Sequence, residues 1–305
     1  MQRVHFIAIG GAAMHNLAIA ISKKNNFLVT GSDDEISEPS YSRLKKNDLL
    51  PDKMGWFPDR IHKGLSAVIA GTRIGEDNPE LLRAKELGLK VFSFPEYVFQ
   101  QTRSKTRIVV GGSHGKTAIA AMILFVLNRL KIDTDYVVGN QIRGFSDIVK
   151  LSYDARIAVL EGDENMISSI DRRPKFHLYK PHIAVLTGID LNDINLSQTR
   201  TLYIEQFRQF TELMEVQGRL IYFDGDENLN KIVANLRRDI VSFPYNTPKY
   251  ELRNGTAYLV TKKSLVSLKI TGENNLQNIE AARLACKQIG VTDDQFYTII
   301  SDFEL

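Results

Sequence analysis

Short apolar runs alternate with helix-spaced apolar positions along the N-terminal third of the chain. Val4–Ile9 is such a run, ending in Gly10-Gly11, and Met14–Ser22 then shows helical periodicity. Phe27–Thr30 predicts a second strand, closed by Gly31-Ser32-Asp33. Ser40–Lys46 reads as a helix and Ala67–Ala70 as a third strand. Asn78–Leu87 reads as a helix stopped by Gly88, and Val91–Phe94 as a fourth strand. Strands separated by helices build a parallel sheet covered on both faces.

The polar, basic stretch Gln100–Arg107 reads as a linker or domain edge. A second α/β unit then opens with the apolar run at Ile108, with further strands expected at Tyr136–Val138, Arg156–Leu160, Ile183–Leu186 and Arg219–Phe223. Between Tyr250 and Ile270 the pattern changes to short alternating segments with turn residues between them, which predicts small antiparallel strands. Asn278–Gln288 reads as a helix ended by Gly290. The expected fold class is α/β. A Rossmann-like parallel-sheet domain over residues 1–103 precedes an α/β domain over 104–305 that contains a phosphate loop and a small antiparallel sheet.

Composition adds limits rather than direction. The 305 residues are 43% hydrophobic and 25% charged, ordinary for a globular protein with a sizeable core. A net charge of +3, with basic residues scattered in pairs such as Lys23-Lys24 and Arg172-Arg173, argues against nucleic acid as a partner. Met1 leads straight into a strand, and no signal peptide or bilayer-length apolar run is present, so a cytoplasmic protein without membrane partners is expected. One cysteine, Cys286 in an alanine-rich helical pattern, allows no disulfide framework and predicts a buried thiol.

The chemistry concentrates in Ile108-Val-Val-Gly-Gly-Ser-His-Gly-Lys-Thr117. A β-branched run, a glycine turn and an apolar helix pattern together make a phosphate cradle, in which loop amides and the helix dipole face an anion. Gly112, Ser113, His114 and Gly115 form the loop, Lys116 supplies a point charge, and Thr117 offers a hydroxyl to Mg²⁺. His114 either touches phosphate or holds the turn. Val110 stands where the general motif has its first glycine, so the loop is a shortened variant.

Ala158-Val-Leu-Glu161-Gly-Asp163-Glu164 places three carboxylates at the carboxyl end of a central strand, the edge where parallel sheets bind ligands. Glu161, which directly ends the strand, is the best candidate to hold Mg²⁺. Asp190 and Asp193 after the next strand are candidate direct or indirect metal groups. Gly10-Gly11 with Ala12, Met14, Ser32 and Asp33 suits a nucleotide pyrophosphate over a helix N-terminus, with the acid reading a ribose. A dehydrogenase reading of that turn is disfavoured by the second phosphate cradle at Lys116.

Taken together, these segments resemble the Mur ligases, the ATP-dependent amide-forming enzymes of peptidoglycan precursor synthesis. The resemblance runs through Phe6–Met14, Val29–Asp33, Glu76-Asp-Asn-Pro-Glu80, Gly112–Thr117 and Gly272–Asn278. It implies UDP-sugar binding at Gly10, Gly11, Ala12, Met14, Ser32 and Asp33, ATP binding at the phosphate loop with Asn275 and Asn278 near adenine, and Mg²⁺ at Thr117, Glu161 and Asp193. Lys116 is the catalytic residue it implies.

The implied reaction joins UDP-N-acetylmuramate to an acceptor through an acyl phosphate. Leu160-Glu-Gly-Asp-Glu, the stretch from Ile170 to Pro181, and Glu205-Gln-Phe resemble the branch that adds L-alanyl-γ-D-glutamyl-meso-diaminopimelate during recycling. The Asp77–Glu80 stretch resembles the branch that adds L-alanine. Three departures from the family pattern stand out: Asn192-Asp193 replaces Asp-His, Ala118 replaces a second Thr, and Asn274 replaces a His. They keep open a non-catalytic UDP-sugar-binding paralogue. The resemblance also implies a third, acceptor-binding domain that residues 1–305 lack, so the chain alone is expected to bind substrates without ligating them.

Overall fold

The computed structural model describes residues 1–168, 171–191 and 199–304. They form two compact units. The first unit comprises Met1–Arg103, Asp147–Tyr153 and Asn165–Leu178; the second comprises Ser104–Ser146, Asp154–Glu164 and Tyr179–Leu305.

In the first unit the chain runs β1 (Gln2–Ile7), α1 (Ala12–Ser22), β2 (Phe27–Ser32), α2 (Ser40–Lys46), β3 (Ala67–Ala70), α3 (Pro79–Glu86), β4 (Val91–Ser93) and α4 (Phe94–Thr102). The strands lie in the order β2-β1-β3-β4, all parallel. From β1 the chain moves first to one side and then to the other. The carboxyl end of β1 is therefore the switch point, where ligands bind in such sheets. Helical spacing turns Met14, Leu17, Ala18 and Ile21 of α1 into the core. The Asn78 side chain accepts from the Glu80 and Leu81 amides at 3.0 Å, and Pro79 opens α3. Trp56, in a loop, packs against the cluster of Ile7, Ile61, Val68 and Leu81.

Helix α4 corrects the sequence reading. The strand stops at Ser93, a capping box of Ser93 and Glu96 starts a helix, and Thr102 closes it. Only three residues separate that helix from the next strand, so Gln100–Arg107 is not a linker, but it does hold a domain edge: the first unit's leading segment ends at Arg103 and the second unit begins at Ser104.

The second unit's strands and helices begin with β5 (Thr106–Gly111), α5 (Lys116–Arg129) and β6 (Thr134–Val137). The short β7 (Val149–Lys150) belongs to the first unit. The second unit continues with β8 (Ile157–Glu161), β9 (Ile183–Leu186), α6 (Arg200–Glu212), β10 (Arg219–Phe223), α7 (Glu227–Val233) and β11 (Val241–Tyr245). Its strands run β11-β10-β9-β5-β8-β6, again all parallel. Here β5 is the switch point. Strands β12 (Tyr250–Arg253), β13 (Thr256–Val260) and β14 (Leu265–Ser267) make the small antiparallel sheet. Helices α8 (Glu273–Gln288) and α9 (Asp293–Ile300) follow. Helix α8 starts five residues before the expected Asn278, because its first turn is polar and shows no apolar period.

Among the described residues, no helix is long and apolar enough to cross a membrane. Cys286 is a free thiol, fully buried on α8, and burial pushes its pKa up. Thiolate, the reactive form, is thus suppressed and out of reach. Native protein at pH 8 is expected to resist alkylation by iodoacetamide and to gain one label per chain on denaturation. Rapid labelling of the native protein, followed by mass spectrometry, would contradict that placement.

Candidate functional site

In the second unit the phosphate loop leaves β5 at Gly111. The Thr187 amide donates to the Gly111 carbonyl at 3.1 Å, and the Ser113 amide to the Gly188 carbonyl at 3.0 Å. Gly112 has φ +118°, and a Cβ there would stand 2.2 Å from Thr187 Oγ1 and 2.7 Å from the Thr187 nitrogen. Only glycine fits. Gly115 has φ +78°, and a Cβ there would meet Asn278 Oδ1 at 2.5 Å. The first turns of α8 therefore lie against the last turn of the loop. Gly115 caps α5 without a side-chain hydrogen bond, so the helix presents its first amides beside the loop.

The expected chemical groups converge here. Lys116 Nζ donates to the Gly112 carbonyl at 2.6 Å and to Glu164 Oε2 at 3.1 Å. The Thr117 hydroxyl donates to Glu161 Oε1 at 2.9 Å, and the Gly139 amide donates to Glu161 Oε2 at 2.7 Å. The Asp190 amide donates to Ser113 Oγ at 2.8 Å, so the Ser113 side chain braces the loop. His114 points outward and its Nε2 pairs with Asp190 Oδ2 at 3.1 Å. Asn275 donates to the Thr271 carbonyl at 2.8 Å, one turn before Asn278. Asp193 and Asn192 lie outside the described residues.

Thr117 and Glu161 offer a divalent cation a hydroxyl and a carboxylate at contact distance from each other. These are hard oxygen donors of the kind Mg²⁺ takes alongside phosphate oxygens and retained waters. Among the described residues, no group of three or more His, Cys, Asp or Glu is arranged to hold a metal. Two such donors fit Mg²⁺ shared with phosphate oxygens. Glu164, the partner of Lys116, was visible in the sequence only as the last of three strand-end acids. Tyr179 is buried, and burial together with the Asp163 and Glu161 charges pushes its phenol pKa up.

In the first unit, the turn after β1 is held by Asp33. The Gly10 amide donates to Asp33 Oδ2 at 2.7 Å, and a Cβ on Gly10 would lie 2.8 Å from Ile36 and 2.9 Å from Asp33 Oδ2. Asp33 is buried, and burial raises its pKa. Gly11 and Ala12 are exposed at the start of α1. Two residues expected to face a ligand turn inward instead. Met14 sits on the core face of α1, and the Ser32 side chain is fully buried, donating to the Glu80 carboxylate at 2.6 Å.

Residues 110–286 match the Mur ligase middle domain, and residues 3–106 match the domain described as "Mur ligase family, catalytic domain". The chain belongs to the Mur ligase family. A UDP-N-acetylmuramate–L-alanine ligase of Carboxydothermus hydrogenoformans is 26% identical over 96% of this Mur ligase chain and 63% of its own length. One of Persephonella marina is 28% identical over 95% of this chain and 62% of its own. The chain thus spans less than two thirds of the length of these relatives. The crystal structure of UDP-N-acetylmuramate:L-alanyl-γ-D-glutamyl-meso-diaminopimelate ligase from Neisseria meningitides shares the fold, with a TM-score of 0.86 and 20% identity over 100% of this chain and 99% of that one.

The contact at Gly112 generates a prediction. Gly112→Ala forces Cβ into Thr187 and its backbone, and strain of this kind costs about 1–3 kcal/mol. Gly115→Ala meets only the end of the Asn278 side chain and should cost less. Urea unfolding of both variants checks the order; equal losses would contradict the close approach at Thr187.

Proposed function

We propose that the chain carries the sugar-nucleotide and ATP sites of a ligase that joins UDP-N-acetylmuramate to the tripeptide L-alanyl-γ-D-glutamyl-meso-diaminopimelate. The observation behind the ATP-dependent part is the convergence of Lys116, Thr117 and Glu161 on one glycine loop. The tripeptide acceptor is supported by the sequence from Leu160 to Pro181 and by the fold likeness to the Neisseria ligase. A second reading, L-alanine as acceptor, is supported by the curated relatives. ATP and a nucleotide sugar as substrates agree with a cytoplasmic enzyme.

In this reading Gly10, Gly11 and Ala12 present amides to the UDP diphosphate, and Asp33 fixes their turn. The loop from Gly112 to Thr117 cradles the ATP phosphates, with Asn275 and Asn278 on the adenine side. The lactyl carboxylate of UDP-N-acetylmuramate attacks the γ-phosphorus, ADP leaves, and the acceptor amine displaces phosphate from the resulting acyl phosphate. Lys116 places a positive charge where the transferred phosphoryl group gains negative charge, and such preorganised charge is the main catalytic effect in phosphoryl transfer. Thr117 and Glu161 would hold Mg²⁺, which supplies charge neutralisation on the phosphates.

Thermal unfolding with UDP-N-acetylmuramate, ATP–Mg²⁺ and NAD tests the reading. A ligand at 100 times its Kd stabilises the native state by about 2.7 kcal/mol. The first two should raise the midpoint and NAD should not; a shift with NAD alone would reject the proposal. Phosphate release with tripeptide against L-alanine and both nucleotides, measured with this chain joined to the acceptor-binding domain that the family resemblance implies, distinguishes the acceptors.

Lys116→Ala should abolish the ATP shift and spare the UDP-N-acetylmuramate shift, since the two sites lie in different units. Glu161→Gln should weaken Mg²⁺-dependent ATP binding more than Asp163→Asn, because Glu161 ends the strand and accepts from the Thr117 hydroxyl. A Mg²⁺ titration at fixed ATP measures both; a larger effect at Asp163 would overturn the assignment of Glu161.

A further inference from the structure

Beneath the turn after β1 lies a group of polar side chains that no ligand can touch. His5, Ser32 and Glu80 are each 0% exposed. Glu80 reaches them from the first turn of α3, where the helix dipole favours a carboxylate. Its carboxylate accepts from the Ser32 hydroxyl at 2.6 Å and from the Phe57 amide at 2.7 Å, with His5 Nε2 at 3.3 Å. His5 Nε2 also lies 2.9 Å from Ser32 Oγ, and its Nδ1 lies 2.8 Å from Thr30 Oγ1. Burial alone would raise the Glu80 pKa. The hydrogen bonds from His5, Ser32 and Phe57 outweigh burial and hold it below the usual glutamate value.

This group grips the segments on either side of Asp33. The Ser32 carbonyl accepts two successive amides of the turn, Ala8 at 2.9 Å and Ile9 at 3.1 Å. The next amide, Gly10, goes to the Asp33 carboxylate. The Asp33 carbonyl in turn accepts the Gly55 amide at 2.7 Å, two residues before the Phe57 amide that Glu80 holds. One carboxylate thus fixes both Ser32 and the 55–57 loop, and through Ser32 it holds two consecutive amides of the turn, Ala8 and Ile9.

The turn needs such support. Ala8 sits at φ +64°, a left-handed conformation that costs a non-glycine residue energy and persists only where the surroundings over-determine it. A general stabilising role would need no link to this strained residue. The hydrogen bonds lead instead from Glu80 through Ser32 directly to the Ala8 amide.

We propose that Glu80 is a positioning residue for the sugar nucleotide, setting the Ala8–Gly11 turn through Ser32 and the 55–57 loop without touching the ligand. The inference rests on the reading of the first unit as the UDP-N-acetylmuramate site. Glu80→Gln keeps the volume but removes the charge and puts an amide nitrogen, which cannot accept, in place of the carboxylate oxygen that takes Ser32 at 2.6 Å and faces His5 Nε2 at 3.3 Å.

Calorimetric titration of wild type, Glu80→Gln and Ser32→Ala with UDP-N-acetylmuramate and with ATP–Mg²⁺ provides the test. Loss of a buried hydrogen bond to a charged group should weaken sugar-nucleotide binding about tenfold or more and leave ATP binding unchanged. Amide hydrogen exchange supplies the readout that mere destabilisation would not give. Exchange at Ala8, Ile9 and Gly10 should quicken in both variants while Val4 and Phe6, in the interior of β1, stay protected.

If wild type fails to bind UDP-N-acetylmuramate, the proposed function fails. If wild type binds and both variants bind equally well, or exchange quickens uniformly along β1, the positioning role is overturned. Should Glu80→Gln not fold, Ser32→Ala alone decides, since it removes the link and leaves Glu80 its His5 and Phe57 partners.

Discussion

The main-chain pairing of β5 with β8 on one side and β9 on the other fixes the glycine loop that leaves β5. Val110 lies opposite both Glu161 and Val185, and Gly111 opposite Leu186. The ladder continues just past the strand ends: the Gly162 amide reaches the Val110 carbonyl at 2.8 Å and the Thr187 amide reaches Gly111. That register brings Thr187 under Gly112 and Glu161 beside Thr117. A slip of one residue would send Glu161 to the opposite face of the sheet. The far end of β5 is secured differently. Arg107, fully buried, donates to the carbonyls of Tyr179 and Lys180 and to Glu215, tying the entry of β5 to the segment that leads into β9.

Much of this arrangement could be read from residue order, because it depends on local chemistry. Ala67–Ala70, Ile183–Leu186 and Arg219–Phe223 are apolar runs bounded by polar residues, and each is a strand within the expected limits. Glycine followed by Gly-Lys-Thr at a strand end leaves the backbone few options, so the loop was legible too. Helix α4 was hidden because Phe94 continues the apolar run of β4, although Ser93 and Glu96 already spelled a capping box. The start of α8 was hidden by Glu273-Asn274-Asn275, a polar first turn after Gly272 at φ +95°.

Side-chain roles were less legible than elements, since they depend on contacts distant in sequence. Glu80 follows Asn-Pro at the start of a helix and looks like an exposed first-turn acid. Its burial requires His5 and Ser32, 75 and 48 residues away. Ser32 looked like a ligand hydroxyl, and strand alternation puts it on the face of the exposed Leu28 and Thr30, but His5 and Glu80 cover it there. Met14 follows the glycine turn closely enough to suggest contact with a ligand, yet helical spacing aligns it with Leu17, Ala18 and Ile21.

Both units use one device at the ligand edge of their sheets. An acid at or just beyond the end of one strand accepts an amide from the loop after the neighbouring strand. Asp33 takes Gly10, Glu161 takes Gly139 and Asp226 takes Ile189, at 2.7, 2.7 and 2.6 Å. Each such bond uses one carboxylate oxygen, and charge-assisted bonds of this kind are strong enough to set a loop. The second oxygen separates scaffold from chemistry. Asp226 spends it on the Asn228 and Leu229 amides, capping its own helix. Glu161 directs it at the Thr117 hydroxyl inside the phosphate loop. Two acids with the same structural duty therefore differ in what they offer a ligand, and that difference singles out Glu161 where a count of strand-end carboxylates cannot.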